Sequence, residues 1–167
     1  REVDAIVFVL RAFSDNDVPG PTDPVEHLRI VEVELALADL ETTQKQLLKI
    51  EKAAKSDKSI GQILESLKHA SEQLDQGIPI YKSDLTSSER ELLSDFFLLT
   101  DKPVLAVVNM GEDQVEETNQ ILEPVVAELP DQEVIGMCVQ LESEAALLTS
   151  EEQSEMLEEL GLGEGAL

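Results

Sequence analysis

The chain has 167 residues, a formal net charge of −24, 42% hydrophobic residues, 3% aromatic residues and no tryptophan. That length suits one domain, or one domain with an inserted subdomain, and its core must be built from Leu, Val, Ile and Ala. Repulsion among so many acids argues against non-specific nucleic-acid binding by the chain as a whole.

No apolar run approaches the ~18 residues that span a bilayer, and no signal-peptide pattern opens the chain. The lone Cys138 excludes an internal disulfide and fits a reducing cytosol. The chain starts at Arg1 without Met and leads at once into an apolar run, which suggests a fragment or a processed chain.

Residues 3–10 contain Ala5-Ile6-Val7-Phe8-Val9-Leu10. Rich in β-branched residues and too short for a helix, this run predicts a strand buried on both faces, as in a parallel sheet. A Pro/Gly/Asp loop over residues 17–24 follows, and then a helical stretch to about Lys55. Its apolar residues Ile30, Val33, Leu37, Leu40 and Leu47 step by threes and fours, with Gln44 interrupting. Leu28, Val31 and Leu35 make its first half apolar nearly all round, as where a helix base packs on a domain body.

A polar turn over residues 55–59 leads to a second seam, Ile60, Ile63, Leu67, Ala70 and Leu74, ended by Gly77 and Pro79. Together they predict an inserted antiparallel two-helix, coiled-coil arm. Lys45, Lys49, Lys52, Lys55 and Lys58 crowd its tip with only Glu51 and Asp57 among them, and no Lys or Arg occurs after Lys102. The cluster reads either as solvated helix surface or as the one nucleic-acid-facing element of the chain.

Residues 103–108 and 134–139 share the strand character of the first run. A helical pattern follows each. Residues 114–129 place Val115, Ile121, Leu122, Val125, Val126 and Leu129 largely on one side; residues 150–160 begin with a capping-box pattern at Ser150 and stop at Gly161. The alternation predicts an α/β fold, a partial doubly wound parallel sheet, with residues 1–22 and 101–167 forming it and residues 23–100 inserted as the arm. Three strands are few for such a sheet, which again points to a missing part.

Four segments resemble the YchF branch of the Obg-like P-loop ATPases. They are Arg1-Glu2-Val3-Asp4-Ala5-Ile6 with Val9-Leu10-Arg11-Ala12-Phe13; Asp23-Pro24-Val25-Glu26 with the Glu34 to Glu41 run; Lys102 to Glu112; and Leu141-Glu142-Ser143-Glu144 with Glu151-Glu152 and the Leu157 to Leu162 run. The resemblance covers essentially the whole chain, in order. It implies a P-loop NTPase type of sheet and a cytoplasmic, ribosome-associated ATPase with a helical arm and a small C-terminal β domain of the TGS type. ATP is the implied ligand, with Mg2+ expected only in the complete protein. The arm is the implied contact with the ribosome or RNA, and no membrane partner is expected.

The chain departs from that pattern in having no GxxxxGK[ST] sequence. It therefore supplies no backbone cradle, lysine or magnesium-binding hydroxyl for phosphates. No residue is assigned to catalysis, and the chain is expected to be inactive alone.

The base-recognition loop remains. In guanine-specific relatives it reads Asn-Lys-x-Asp, its aspartate accepting from guanine N1–H and the N2 amino group. Here Asn109 is followed by Met110 in the lysine position and Glu112 in the aspartate position. That change removes the guanine clamp, while the Asn109 amide can still pair with adenine N7 and N6 and Met110 can lie against the ring. Read without the resemblance, Asn109-Met110-Gly111 is equally a turn ending a strand.

The second base loop corresponds to Cys138, Val139 and Gln140, with contact expected through the backbone. Cys138 reads as a buried inert thiol. His27 and His69 lack partners at zinc spacing, and Glu142 and Glu144 read as surface residues. Two other readings stay open: a non-enzymatic helical-hairpin interaction module, and a flavodoxin-like acidic α/β ligand-binding domain.

Overall fold

A computed structural model of the chain describes residues 2–15, 17–54 and 60–153. They divide into two compact units, one of residues up to Ile6 with Arg29–Pro103, the other of Val7–Leu28 with residues from Val104 on. Among them no helix is long and apolar enough to cross a membrane.

Three parallel strands, β1 (Ile6–Arg11), β2 (Val104–Asn109) and β3 (Glu133–Met137), lie in the order β1-β2-β3. The register pairs Ala106 with Val134 and Asn109 with Met137. Because the strands are parallel, Ala12, Met110 and Cys138 all leave the sheet at its carboxyl edge. β2 is central, and its Val104, Ala106, Val107 and Val108 are buried. The expectation that the first strand is buried on both faces is corrected: Phe8 and Leu10 are buried, but Val7 and Val9 are 56% and 60% exposed. β1 is an edge strand and shows the alternation of a half-buried one.

After β2 the chain forms a 3-10 helix, Glu112–Glu117, and then α4 (Thr118–Glu128), so the expected single helix over 114–129 is two pieces. Val125 and Leu129 carry its buried face, while Val126 is exposed. β3 passes close beneath. A Cβ on Gly136 would stand 2.8 Å from Met110 Cε and 2.9 Å from Thr118 Cγ2. A larger residue there would force these two side chains to shift.

A short helix, α5 (Val139–Ala145), follows β3 where a loop was expected. The cap expected at Ser150 sits one residue earlier. Thr149 and Glu152 bond reciprocally, Glu152 Oε2 accepting from Thr149 N–H at 3.0 Å. The rest of that expected helix lies outside the described residues.

The inserted segment begins with α1 (Pro24–Ala54). Asp23 caps it, its Oδ1 accepting from Val25 N–H at 2.8 Å, and Pro24 takes the first helical position. α2 (Gly61–Asp75) ends in a Schellman turn: Gly77, at φ 76°, donates to the Leu74 carbonyl and Ile78 to that of Gln73, both at 3.0 Å. Ala36 of α1 and Leu67, Ala70 and Leu74 of α2 share one apolar cluster, with Leu40, Leu47 and Ile50 packed on it.

The expected α1 seam is partly corrected. Ile30, Val33 and Leu37 are exposed, and the buried positions are Leu28, Glu32, Ala36, Asp39 and Thr43. Polar groups are tolerated inside because partners meet them. Glu32 accepts from Tyr81 Oη at 2.5 Å and pairs with Lys82 at 2.6 Å. Asp39 accepts from Leu99 N–H, Thr100 N–H and Thr100 Oγ1 at 3.0, 2.7 and 2.9 Å. Those partners lie in 3-10 turns around a third helix, α3 (Ser87–Leu93), which is capped by a Thr86–Glu89 box.

Candidate nucleotide-base site

The site is built at the carboxyl edge of the sheet. Asn109 ends β2; its carbonyl accepts from Ala12 N–H at 2.8 Å, and the next N–H, of Met110, is donated to Met137 at 2.8 Å. All three strand ends are thereby tied together. The Asn109 side chain spans the remaining gap, its Oδ1 accepting from the N–H of Val139 at 3.2 Å. The two loops expected to flank a base thus meet through Asn109 and Val139. Cys138, between β3 and α5, is buried as expected, and Val139 is 44% exposed.

Met110 does not lie where the sequence reading put it. It is 3% exposed, with its Cε against Gly136. The pleat that turns Asn109 outward turns its neighbour inward, so Met110 packs beneath the loop instead of presenting a face to a base. Glu112 is exposed at the start of the 3-10 helix. Gln140 is exposed, its Nε2 3.4 Å from Glu144 Oε1 along its own helix. Glu142 is buried at 5% exposure, against the surface position expected for it; Glu144 is exposed.

Three neighbours were not singled out from sequence as site residues. Gln114 joins the base loop to the end of β1: its Oε1 accepts from Gly111 N–H and its Nε2 donates to the Ala12 carbonyl, both at 2.9 Å. The available signal was a Gln three residues after the Gly that precedes the 3-10 helix, the spacing of a helix-start bond. Phe13 is half-buried, and its Cβ lies 3.6 Å from where a Cβ on Gly111 would be.

Arg11, 8% exposed, gives its guanidinium to the carbonyls of Val18, Gly20 and Pro21 at 2.6, 2.5 and 3.2 Å. Its backbone N–H is donated to His27 Nδ1 at 3.1 Å. A buried cation with three carbonyl partners fastens the loop that follows β1.

Displaced ionisations lie away from this edge, in the helical unit. His69 is raised, first by its hydrogen bond to Glu89; Glu89 is lowered to about 2 by His69 and the Thr86 cap; burial and Glu32 raise Tyr81. Among the described residues no group of three or more His, Cys, Asp or Glu could hold a metal ion. Lys49 and Lys52 are exposed on α1, while Lys55 and Lys58 lie outside the described residues.

The fold, a parallel α/β sheet with helices inserted between its first two strands, is of the P-loop NTPase type, as is that of a solved structural neighbour. No family model matches the chain. It is 38% identical over 177 residues to the ribosome-binding ATPase YchF of Bacillus subtilis, a match covering 100% of this chain and 48% of that protein. It is 34% identical over 178 residues to Obg-like ATPase 1 of Saccharomyces cerevisiae, covering 96% and 44%. The solved structure of the Schizosaccharomyces pombe YchF GTPase matches with a TM-score of 0.80 at 28% identity, covering 96% of this chain and 47% of that one.

The chain belongs to the YchF-type, Obg-like ATPase family. It spans about half the length of the curated relatives it matches.

Proposed function

We propose that this chain carries the base-reading side of an adenine-nucleotide site, together with the helical arm, of a cytoplasmic ribosome-associated ATPase. The single observation that supports the reading is the Asn109–Val139 hydrogen bond. With one lone pair of Oδ1 turned to Val139, the Asn109 Nδ2 is left to donate to purine N7, and the second lone pair can accept from the adenine N6 amine. Guanine presents an oxygen there, which would oppose Oδ1. The Val139 N–H that could have met that oxygen is already donated.

The apolar contact first assigned to Met110 passes in this reading to Phe13 and Val139, which retain exposed surface at the same edge. Glu112, exposed and one methylene longer than aspartate, does not rebuild the guanine clamp.

The residues present fit the base half of a nucleotide and not its phosphate half. No GxxxxGK[ST] sequence occurs in the 167 residues, so residues beyond them would have to hold the phosphates and Mg2+. The chain by itself should release no phosphate from ATP. Ribosome association is assigned to the arm, through the exposed Lys49 and Lys52 and through Lys55 and Lys58.

The test is a nuclear magnetic resonance titration of the chain with adenosine, following the Val139 amide and the Asn109 side-chain amide. Both should shift together. Adenosine that binds without moving either would overturn the assignment.

A further inference from the structure

We propose that Gln114 is the positioning residue of the base loop, an inference that rests on Asn109 being the base reader. Gln114 sits in the 3-10 helix after Gly111 and touches backbone at both ends of its amide. Gly111 offers an N–H and can only meet Oε1; Ala12 offers a carbonyl and can only meet Nε2. The side chain therefore needs a donor and an acceptor on one planar group at this reach. Glutamine supplies both, whereas glutamate accepts at both oxygens when ionised, methionine makes neither bond, and asparagine is one methylene too short.

The consequence falls on Asn109. Residue Ala12 is gripped twice, its N–H by the Asn109 carbonyl at 2.8 Å and its carbonyl by Gln114 at 2.9 Å. Gly111 is gripped twice as well, its N–H by Gln114 Oε1 at 2.9 Å and its carbonyl by Gln114 N–H at 3.1 Å. These bonds close a ring from Ala12 through Asn109, Met110 and Gly111 to Gln114 and back. Cutting the Gln114 side chain opens that ring at Gly111, the residue with the widest backbone freedom. Asn109 then holds its amide less firmly in the orientation that tells adenine from guanine. Gln114 touches no base in this arrangement; it acts through Asn109.

The experiment uses this chain with adenosine and guanosine as probes, in wild type, Gln114→Ala, Gln114→Met and Gln114→Glu. The alanine and methionine variants should lose about five- to tenfold in adenosine affinity, and the adenosine-to-guanosine ratio should fall towards one. Exchange of the Gly111 amide hydrogen should accelerate in both. Gln114→Met fills the same space and keeps the comparison open if the alanine variant does not fold.

Gln114→Glu should behave like the methionine variant at pH 7 and recover adenosine affinity towards pH 5. Its protonated carboxyl can donate to Ala12 while accepting from Gly111, as the amide does. Wild type should show no such recovery. If wild type binds adenosine and the variants keep both its affinity and its ratio, Gln114 is not the positioning residue, while the reading of Asn109 survives. If wild type binds neither nucleoside, the reading of the base loop fails and this inference fails with it.

Discussion

His69 of α2 holds its Nδ1 3.0 Å from Oε1 of Glu89, the carboxylate whose other oxygen accepts from the Thr86 N–H at 2.9 Å and caps α3. The opposite ring nitrogen lies 2.9 Å from Asp84 Oδ1. A neutral imidazole has one N–H and would set a lone pair against one of these carboxylates, so the arrangement calls for imidazolium. The cations nearest in sequence are engaged elsewhere, Lys68 with Glu65, Lys82 with Glu32 and Arg90 with Asp101.

The pH dependence follows from the two directions. His69 is raised above its ordinary 6.5, first by the Glu89 hydrogen bond, so its contribution to stability is full below about 6.5 and is lost as pH rises through the folded value. Glu89 is lowered from 4.5 to about 2, so its contribution is present above 4.5 and lost as pH falls towards 2. Urea unfolding should therefore show a shallow maximum between these limits, and His69→Gln should remove the decline on the alkaline side. A His69 ring titrating at its ordinary value would contradict this.

Asp39→Ala should cost about 2–4 kcal/mol, because it leaves the Leu99 and Thr100 N–H groups and the Thr100 hydroxyl without their carboxylate in a fully buried place. Asp39→Asn keeps the shape and should cost less. Urea midpoints at unchanged m-value measure both, and an alanine variant within about 0.5 kcal/mol of wild type, as for an ordinary surface change, would rule the buried bond out as a stabiliser.

Met110→Lys should destabilise the chain, since the side chain is 3% exposed and packed on Gly136. Met110→Leu should cost under about 1.5 kcal/mol. A lysine variant as stable as wild type would return the side chain to the surface and to contact with a base.

Replacing Lys49, Lys52, Lys55 and Lys58 by Gln in a complete protein carrying this arm should weaken ribosome association and flatten its salt dependence, since each lost phosphate contact releases fewer counterions. Unchanged binding across a salt titration would make these lysines ordinary solvated surface.

The contrast between Asn109 and Met110 locates what could be read without a structure. The buried strand before Asn109 and the order of the family-like segments were enough to place an asparagine at the sheet's carboxyl edge. Which way its neighbour points depends on the pleat, and on a hole left by Gly136, 26 positions later in the sequence. The same limit applies to α1. Its threes-and-fours pattern located a helix, but not that Glu32 and Asp39 face inward, because their partners are 49 to 61 residues away. α3 carried a legible signal, Thr86 followed three residues later by Glu89, although no apolar seam marked it.

The most direct test of the base-site assignment is the ratio of adenosine to guanosine affinity, measured by titration of this chain and of its Asn109→Ala variant. Adenosine should bind about tenfold tighter, since a bidentate amide pair discriminates by roughly 1–3 kcal/mol and 1.4 kcal/mol is a factor of ten. Asn109→Ala should weaken both nucleosides and bring the ratio close to one. Guanosine binding as tightly as adenosine, or a folded Asn109→Ala chain that keeps the wild-type ratio, would contradict the account.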